Sequence, residues 1–302
     1  MSKKREEVKH GAKRFIALVL AVVLAASAAL TLVACGGGAT QDTSNAPDTS
    51  QSTTEPAAPA IQLQIFAANS LEKALPEVQA LYTQQNPNVT FADTQFKGSG
   101  DLVTELQGGA PADILITASS ATMDTAVQNG SIDETTRIDM FTNDLIVVKQ
   151  TGSAVTLNSL ADVNSDAITT IAIGDPDAVP AGAYANQSLA TIGLYSDASG
   201  KGGTYSAGFA DKVIVQSSVG NVAKTVSTGD AQIGFVYSSD LYRYDGIEQL
   251  FLVPGDTHKN IVYPGAVVAG SANADEAAKF LDFCLNNPDA LKIWAQFGFQ
   301  MS

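Results

Sequence analysis

From residue 61 onward, short apolar runs alternate with amphipathic stretches. Residues 112–118 (ADILITA) and 169–176 (TTIAIGDP) are apolar runs typical of buried strands. In 70–86, by contrast, apolar residues recur every three or four positions, which is typical of one face of a helix. Strands that alternate with helices predict an α/β fold with mixed, mainly parallel sheets flanked by helices.

The same pattern predicts the individual elements. The predicted strands are 61–67, 88–96, 112–118, 144–149, 169–176, 212–216 and 232–240. The predicted helices are 70–86, 100–109, 121–130, 181–193, 218–229 and a helical tail over 274–299 that breaks at Asn287-Pro288. In that tail we expect Trp294 and Cys284 to be buried core residues.

The N-terminus has a different composition. Six Lys and Arg residues precede an almost wholly apolar run from Phe15 to Val33, which predicts a secretory signal peptide over 1–34. The run ends in LVAC and resembles a bacterial lipobox, so Cys35 is the predicted site of lipidation. An uncleaved anchor is the alternative, because about 19 apolar residues could span a bilayer.

Residues 36–60 are rich in Gly, Ser, Thr, Ala and Pro. This composition cannot build a core, so we predict that 35–60 comprise the lipidated cysteine and a disordered linker. The folded part would then lie outside the cytoplasm, anchored to the cell membrane through Cys35.

The charge excludes one class of partner. The chain has 17 Lys and Arg against 31 Asp and Glu; without the six basic and two acidic residues of 1–34, it keeps 11 against 29, a net charge of −18. Nucleic-acid binding needs clustered Lys and Arg, so we expect no nucleic-acid partner. With only Cys35, Cys284 and, after residue 34, one histidine, His258, no disulfide framework or Cys-based metal site can form.

Small or polar residues follow several predicted strands. These positions include Ser70, Ser99, Pro180–Gly182, Ser217–Val219 and, at the end of a later strand, Tyr237. Ligands of parallel α/β sheets gather at the carboxyl ends of the strands, where these residues fall. Taken singly, each serine is more often an ordinary helix N-cap.

Together, such turns could bind an anion without lysine or arginine. Each helix start presents unpaired N–H groups and the positive end of a dipole. The net charge of −18 does not forbid this, because surface charge is screened over about 8–10 Å whereas a buried pocket experiences its nearest dipoles first.

Several segments in order resemble the molybdate-binding proteins of bacterial ABC-type molybdate importers. They are FAANSL (66–71), GGAPADILITAS (108–119), IAIGDPDAVPAGAYA (171–185), IGFVYSSD (233–240) and YPGAVV (263–268). The resemblance covers essentially all of 61–302. It implies a two-lobed periplasmic-binding-protein-like fold, in which crossing strands join two α/β lobes that close a ligand cleft over a tetrahedral oxyanion.

The resemblance also implies the site residues. The hydroxyls of Ser70 and Ser99, the backbone N–H groups of Ala181 and Val219, and the hydroxyl of Tyr237 would hold the oxyanion. It implies no catalytic residue, no cofactor and no direct protein ligand to molybdenum, which enters only as the bound oxyanion. The chain departs from the family in two places: 97–101 (KGSGD) lacks the serine-rich run often found there, and Asn69 stands where alanine is common.

By the same resemblance, lobe 1 would comprise 61–142 plus 263–302, and lobe 2 would comprise 143–262. The expected function is capture of molybdate, and also tungstate, by a monomeric lipoprotein that delivers the ion to an ABC permease with its ATPase. The nearest alternative is a binding protein for another tetrahedral oxyanion such as sulfate or phosphate. A donor-only pocket favours a fully ionised dianion over partly protonated phosphate.

A few residues suggest functions other than oxyanion binding. Asp256 and His258 with some serine could suggest a hydrolase, but the sequence has no G-x-S-x-G motif, so we expect no enzyme. Tyr242 and Tyr244 could suggest an iron site, but alternate residues of an extended segment point to opposite faces. An interaction module built on a solute-binding fold is the third alternative.

Overall fold

The computed structural model describes residues 59–301. The predicted signal peptide, Cys35 and nearly all of the predicted linker lie outside these residues. The strands are β1 Ile61–Leu63, β2 Ile65–Ala68, β3 Val89–Phe91, β4 Gln95–Lys97, β5 Ile114–Ile116, β6 Ile138–Asn143, β7 Leu145–Gln150, β8 Ile171–Gly174, β9 Val213–Gln216, β10 Ile233–Tyr237, β11 Ile247–Leu252, β12 Ile261–Val267 and β13 Gln300–Met301. The α-helices are α1 Ala74–Gln85, α2 Ser99–Gln107, α3 Ser120–Gln128, α4 Pro180–Thr191, α5 Val219–Ser227, α6 Ala274–Asn286 and α7 Pro288–Gln296. Within 59–301, the helices are too short or too polar for any of them to cross a bilayer.

The strands form two large mixed sheets. One has the order β13-β6-β12-β5-β2-β4 and the other the order β11-β7-β10-β8-β9, while β1 and β3 form a separate pair. Helices flank these sheets, so the predicted α/β, two-lobed fold class is confirmed. We refer to the six-stranded sheet with its helices as the first lobe and to the five-stranded sheet with its helices as the second lobe.

Each large sheet is parallel on one side and antiparallel on the other. Strands β5, β2 and β4 run parallel in the first lobe, and β10, β8 and β9 run parallel in the second. The remaining neighbours in both sheets pair antiparallel, a larger antiparallel share than the sequence pattern predicts. The carboxyl ends of the parallel strands are therefore concentrated at one edge region of each lobe, where ligand sites of α/β proteins form.

The chain passes between the two sheets at adjacent places. Strand β6 ends at Asn143 and β7 begins at Leu145, so a single residue joins the sheets. The return segment leads from β11 to β12, whose first residue, Ile261, is paired with Asn143. Two crossings that lie side by side suit a hinge; the exact lobe boundaries at 142/143 and 262/263 stay a prediction.

The N-terminal segment differs from the sequence prediction. The helix predicted over 70–86 begins only at Ala74, and Ser70 lies in a one-turn 3₁₀ helix, Asn69–Leu71. Pro76 explains the late start, because a proline ring clashes with the carbonyl four residues earlier and is tolerated only in the first turn. The predicted strands 61–67 and 88–96 are each split in two, and their halves join different sheets.

The C-terminal tail is as predicted. Helix α6 ends at Asn286 and α7 begins at Pro288, with the Asn287 side chain capping α7. Trp294 and Cys284 are fully buried, and the Trp294 indole N–H donates to the Cys284 carbonyl at 3.1 Å. Both are core residues, which confirms their predicted role.

Gly182 allows α4 to lie directly on β8, and we expect its replacement by alanine to destabilise the protein. A Cβ at this position would lie 1.9 Å from the Gly174 carbonyl oxygen, a backbone atom that cannot rotate away. Overpacking of a well-packed contact costs about 1–3 kcal/mol, and a backbone clash belongs at or above the top of that range. Urea denaturation should show this loss for Gly182→Ala, whereas Gly255→Ala, where a Cβ meets no atom within 4 Å, should stay within about 0.5 kcal/mol of wild type. Equal midpoints for the two variants would contradict the prediction.

Candidate functional site

A cavity lies where the carboxyl ends of the parallel strands of the two lobes face each other. The space between its walls, including the part open to solvent, is about 210 Å³. The residues that line it are Ala68, Asn69, Ser70, Lys97, Gly98, Ser99, Ala118, Val179, Pro180, Ala181, Val219 and Tyr237. All five site residues named from the sequence are among them, so the structure brings together Ser70 and Ser99 from the first lobe with Ala181, Val219 and Tyr237 from the second.

Ser70 follows β2 and is buried. Its hydroxyl lies 2.9 Å from the hydroxyl of Tyr263, which belongs to β12. Burial raises the pKa of Tyr263, so this phenol stays protonated and can donate to Ser70. Tyr263 thereby fixes the orientation of Ser70, a positioning role that the sequence pattern does not predict.

Ser99 is the first residue of α2, directly after β4. Its hydroxyl accepts a hydrogen bond from the Ala118 backbone N–H at 3.1 Å, which ties the start of α2 to the end of β5. The residue before it, Gly98, has no side chain to cap the helix. The N–H groups at the start of α2 therefore need acceptors outside the helix, and the Ala178 carbonyl accepts that of Gly100 at 3.0 Å.

Two helices of the second lobe also begin at the cavity. Helix α4 starts at Pro180, so Ala181 is its second residue, and Val179 before it provides no side-chain cap. Helix α5 starts at Val219, and the Ser218 hydroxyl before it accepts from the Asn221 N–H at 3.1 Å. Ser218 is therefore an ordinary N-cap, whereas the N–H groups of Ala181 and Val219 lie at helix starts, where the helix itself offers them no acceptor.

Tyr237 is the last residue of β10 and is about 1% exposed. Its hydroxyl is buried at the wall of the cavity and has no hydrogen-bond partner among residues 59–301. Burial raises the pKa of Tyr237 well above its ordinary value, so the group is a neutral phenol and a hydrogen-bond donor. A buried donor without a partner costs about 1–3 kcal/mol, and a ligand acceptor in the cavity would remove that cost.

Lys97 also lines the cavity, which corrects the expectation of a site without lysine or arginine. Its ammonium group lies 2.5 Å from a carboxylate oxygen of Glu105, almost two turns along α2 from Ser99. In the sequence, the one indication that Lys97 belongs to the site is its position two residues before Ser99, in the same strand-to-helix turn. The carboxylate of Glu105 partly offsets the charge of Lys97. The other donors expected at the cavity are neutral N–H and O–H groups.

The two lobes touch backbone to backbone beside the cavity. The Gly100 N–H donates to the Ala178 carbonyl at 3.0 Å. A Cβ at Gly98 would lie 2.7 Å from the Ala178 carbonyl oxygen, and one at Gly100 would lie 2.6 Å from the Asp177 carbonyl oxygen. Glycine at both positions is therefore what allows this close approach of the lobes.

The chemistry of the lining suits an anion. No carboxylate is among the described lining residues. A carboxylate would repel an anion or accept a hydrogen bond from a protonated one. Residues 59–301 contain no group of three or more His, Cys, Asp and Glu side chains that could hold a metal ion. Of the tyrosines considered for iron, Tyr242 is 60% exposed and the Tyr244 hydroxyl accepts a hydrogen bond from Arg243.

The fold and the cleft define a two-lobed binding protein for a small solute. Residues 63–300 match the family model for bacterial extracellular solute-binding proteins, and the chain belongs to this family.

Relatives of this chain include molybdate-binding proteins. The molybdate-binding protein ModA of Escherichia coli (strain K12) is 31% identical over 247 residues, covering 79% of this chain and 88% of that protein. A putative ABC transporter substrate-binding lipoprotein, YvgL, of Bacillus subtilis (strain 168) is 29% identical over 242 residues, covering 79% and 86%. The resemblance to molybdate-binding proteins is thus confirmed.

Solved structures show the same fold. The substrate-binding domain of a putative molybdenum ABC transporter from Clostridium difficile superposes with a TM-score of 0.60 at 30% identity, covering 80% of this chain and 100% of that one. The periplasmic molybdate-binding protein of Azotobacter vinelandii gives a TM-score of 0.65 at 18% identity, covering 80% and 99%. At that lower identity, the likeness concerns the fold alone.

Proposed function

We propose that this protein captures molybdate, and also tungstate, and delivers it to an ABC importer made of a permease and an ATPase. The observation that carries the proposal is the convergence of donors from both lobes on one cavity, including the buried hydroxyl of Tyr237, which has no hydrogen-bond partner within residues 59–301. The names of the relatives support the choice of ion.

In the proposed complex, the hydroxyls of Ser70, Ser99 and Tyr237 and the N–H groups of Ala181 and Val219 donate to the oxygens of the oxyanion. The protein contacts only these oxygens, so molybdenum has no direct protein ligand. Hydrogen bonds to a charged group contribute about 1.5–3 kcal/mol each, and a few of them support micromolar or tighter binding after the cost of ordering.

Closure of the two lobes explains how the ion is held and released. Donors of the first lobe and donors of the second lobe can reach one ion together only when the cleft is closed, so the ion favours the closed state. A permease would release the ion by binding the open state better. We propose that the protein acts as a monomer, with 61–142 plus 263–302 as one lobe and 143–262 as the other.

The proposal also includes the location. The signal peptide of 1–34, the lipidated Cys35 and the linker that ends near residue 60 would place the protein outside the cytoplasm on a membrane tether. Globomycin, which blocks lipoprotein signal cleavage, should cause the precursor to accumulate, and Cys35→Ser should abolish incorporation of labelled palmitate. Unchanged labelling in Cys35→Ser would contradict the anchor.

Calorimetric titration tests the choice of ligand. The protein is titrated separately with molybdate, tungstate, sulfate and phosphate at one ionic strength. We expect binding of molybdate and tungstate at micromolar or lower Kd, with sulfate and phosphate at least about 100-fold weaker, which corresponds to about 2.7 kcal/mol. Tighter binding of sulfate or phosphate than of molybdate would overturn the proposed ion and favour the alternative oxyanion.

A further inference from the structure

Asn69, at a position where the resemblance leads us to expect alanine, connects the two lobes. Its Oδ1 atom accepts a hydrogen bond from the Gly220 backbone N–H of the second lobe at 3.1 Å. The same oxygen accepts from Nη2 of Arg243, also of the second lobe, at 3.2 Å. Its Nδ2 atom donates to Glu72 of its own lobe at 2.9 Å. One amide side chain therefore holds three partners, two of them across the cleft.

Arg243 is the charged centre of this contact. Its side chain is about 1% exposed. It pairs with Asp240 of its own lobe and, across the cleft, lies 3.3 Å from a carboxylate oxygen of Glu72. Its Nη2 also donates to the Tyr244 hydroxyl at 3.1 Å. A buried guanidinium needs such partners, because an unpaired buried charge is strongly unfavourable.

The cluster is joined to the cavity at two points. Asn69 itself lines the cavity. Asp240, which pairs with Arg243, accepts the backbone N–H of Tyr237 at 2.9 Å, and Tyr237 also lines the cavity. The cluster of Asn69, Glu72, Asp240 and Arg243, which we call the clasp, thus bridges the lobes directly beside the proposed ion.

The contact to Gly220 also decides which donors the ion can use. Gly220 is the second residue of α5, and its N–H is one of the unpaired groups at the helix start. The Asn69 oxygen accepts this N–H and so removes it from the donors open to an ion, whereas Val219, the residue before it, lines the cavity. An alanine at position 69 has no side-chain oxygen and could not accept the Gly220 N–H.

We propose that the clasp is a positioning and affinity-determining element, in which Asn69 and Glu72 lock the second lobe onto the first around a bound tetrahedral dianion and so slow its release. This inference rests on the proposed function. Opening the cleft separates Asn69 and Glu72 from Gly220 and Arg243, whereas Arg243 keeps Asp240 within its own lobe. The clasp therefore stabilises the closed state specifically and contributes to the dissociation rate, because the ion leaves only after opening.

The test measures association and dissociation of radiolabelled molybdate with the protein purified in detergent. Asn69→Ala should raise the dissociation rate about 10-fold or more, since two hydrogen bonds across the cleft are lost, one of them to a charged group. Glu72→Gln should raise it about 2–5-fold, because Glu72 is about a third exposed and its ion pair is partly screened. Association rates should stay within about twofold of wild type, because the clasp contacts across the cleft are absent in the open state, to which the ion binds.

Matched controls lie in the same lobe, away from the cleft. Asn88→Ala removes a side chain whose single hydrogen bond goes to the exposed Pro59 carbonyl, and Glu77→Gln neutralises an exposed carboxylate of α1. The clasp is overturned if the dissociation rates of Asn69→Ala and Glu72→Gln match those of these controls. It is equally overturned if the clasp variants only lower the melting temperature without ligand and leave the dissociation rate unchanged. If Asn69→Ala does not fold, Glu72→Gln decides alone.

The outcome for wild type separates this inference from the proposed function. If wild type binds molybdate but the dissociation rates of the clasp variants match those of the controls, the clasp proposal is refuted and the proposed function stands. A wild-type protein that binds none of molybdate, tungstate, sulfate and phosphate refutes both.

Discussion

Replacing Gly100 with alanine is expected to lower the affinity for molybdate about 100-fold or more, a change of about 2.7 kcal/mol in binding free energy. A Cβ at position 100 would lie 2.6 Å from the Asp177 carbonyl oxygen and 2.9 Å from the Ala178 Cα atom, both in the opposite lobe. The clash exists only when the cleft is closed. Calorimetric titration of Gly100→Ala and wild type measures the loss directly.

The same substitution should stabilise the first lobe itself, although it weakens binding. Gly100 is the second residue of α2, and alanine is favoured over glycine in helices by about 0.5–1 kcal/mol. We therefore expect a melting temperature without ligand that is equal to or above that of wild type. Gln107→Ala, at the exposed end of the same helix, is the control that leaves affinity unchanged. An affinity of Gly100→Ala within threefold of wild type would contradict closure as the basis of binding.

Replacing Tyr237 with phenylalanine is expected to weaken molybdate binding about 10- to 100-fold, because one hydrogen bond to a charged ligand is worth about 1.5–3 kcal/mol. Its hydroxyl has no partner among residues 59–301, so its removal should not lower the stability of the unliganded protein. Removing an unsatisfied buried group can even raise stability. Titration and urea denaturation of the same variant give both values.

Two further substitutions make the Tyr237 result specific. Ser99→Ala should also weaken binding, but it should cost stability, because it leaves the Ala118 N–H without its acceptor at 3.1 Å. Tyr205→Phe removes a hydroxyl that donates to Asn186 at 2.8 Å within the second lobe, so it should lower stability and leave affinity unchanged. If Tyr237→Phe loses stability and keeps full affinity, its hydroxyl does not serve the ligand.

The sequence predicted the parts of the fold that rest on local pattern. Apolar runs such as Ile171–Gly174 are strands because four consecutive buried positions leave few alternatives. Strands β6 and β12 gave no such signal. The second contains Pro264 and Gly265, residues that argue against a strand, and it tolerates them at a bulge beside Tyr263. Their place in the sheet is fixed by partners distant in sequence.

In the candidate site, too, local patterns predict some residues, whereas contacts between residues distant in sequence cannot be predicted. Ser99 and Val219 stood out as candidates because each lies where a helix starts after a strand, a local arrangement, and the resemblance to molybdate-binding proteins then implied their roles. The contact between Asn69 and Arg243 joins residues 174 positions apart, so no spacing rule reveals it. Likewise, the Tyr237 hydroxyl lacks a partner in the described part of the chain because of its surroundings in three dimensions and not because of its neighbours in the sequence.

The most direct test of donors from two lobes closing on one oxyanion is a crystal structure of the protein with molybdate, in which anomalous scattering locates the molybdenum. We expect a single strong peak in the cavity, with oxygens of the ion within hydrogen-bond distance of the Ser70, Ser99 and Tyr237 hydroxyls and the Ala181 and Val219 N–H groups. A peak elsewhere, or an ion held by donors of one lobe alone while the Tyr237 hydroxyl stays unpartnered, would contradict this account.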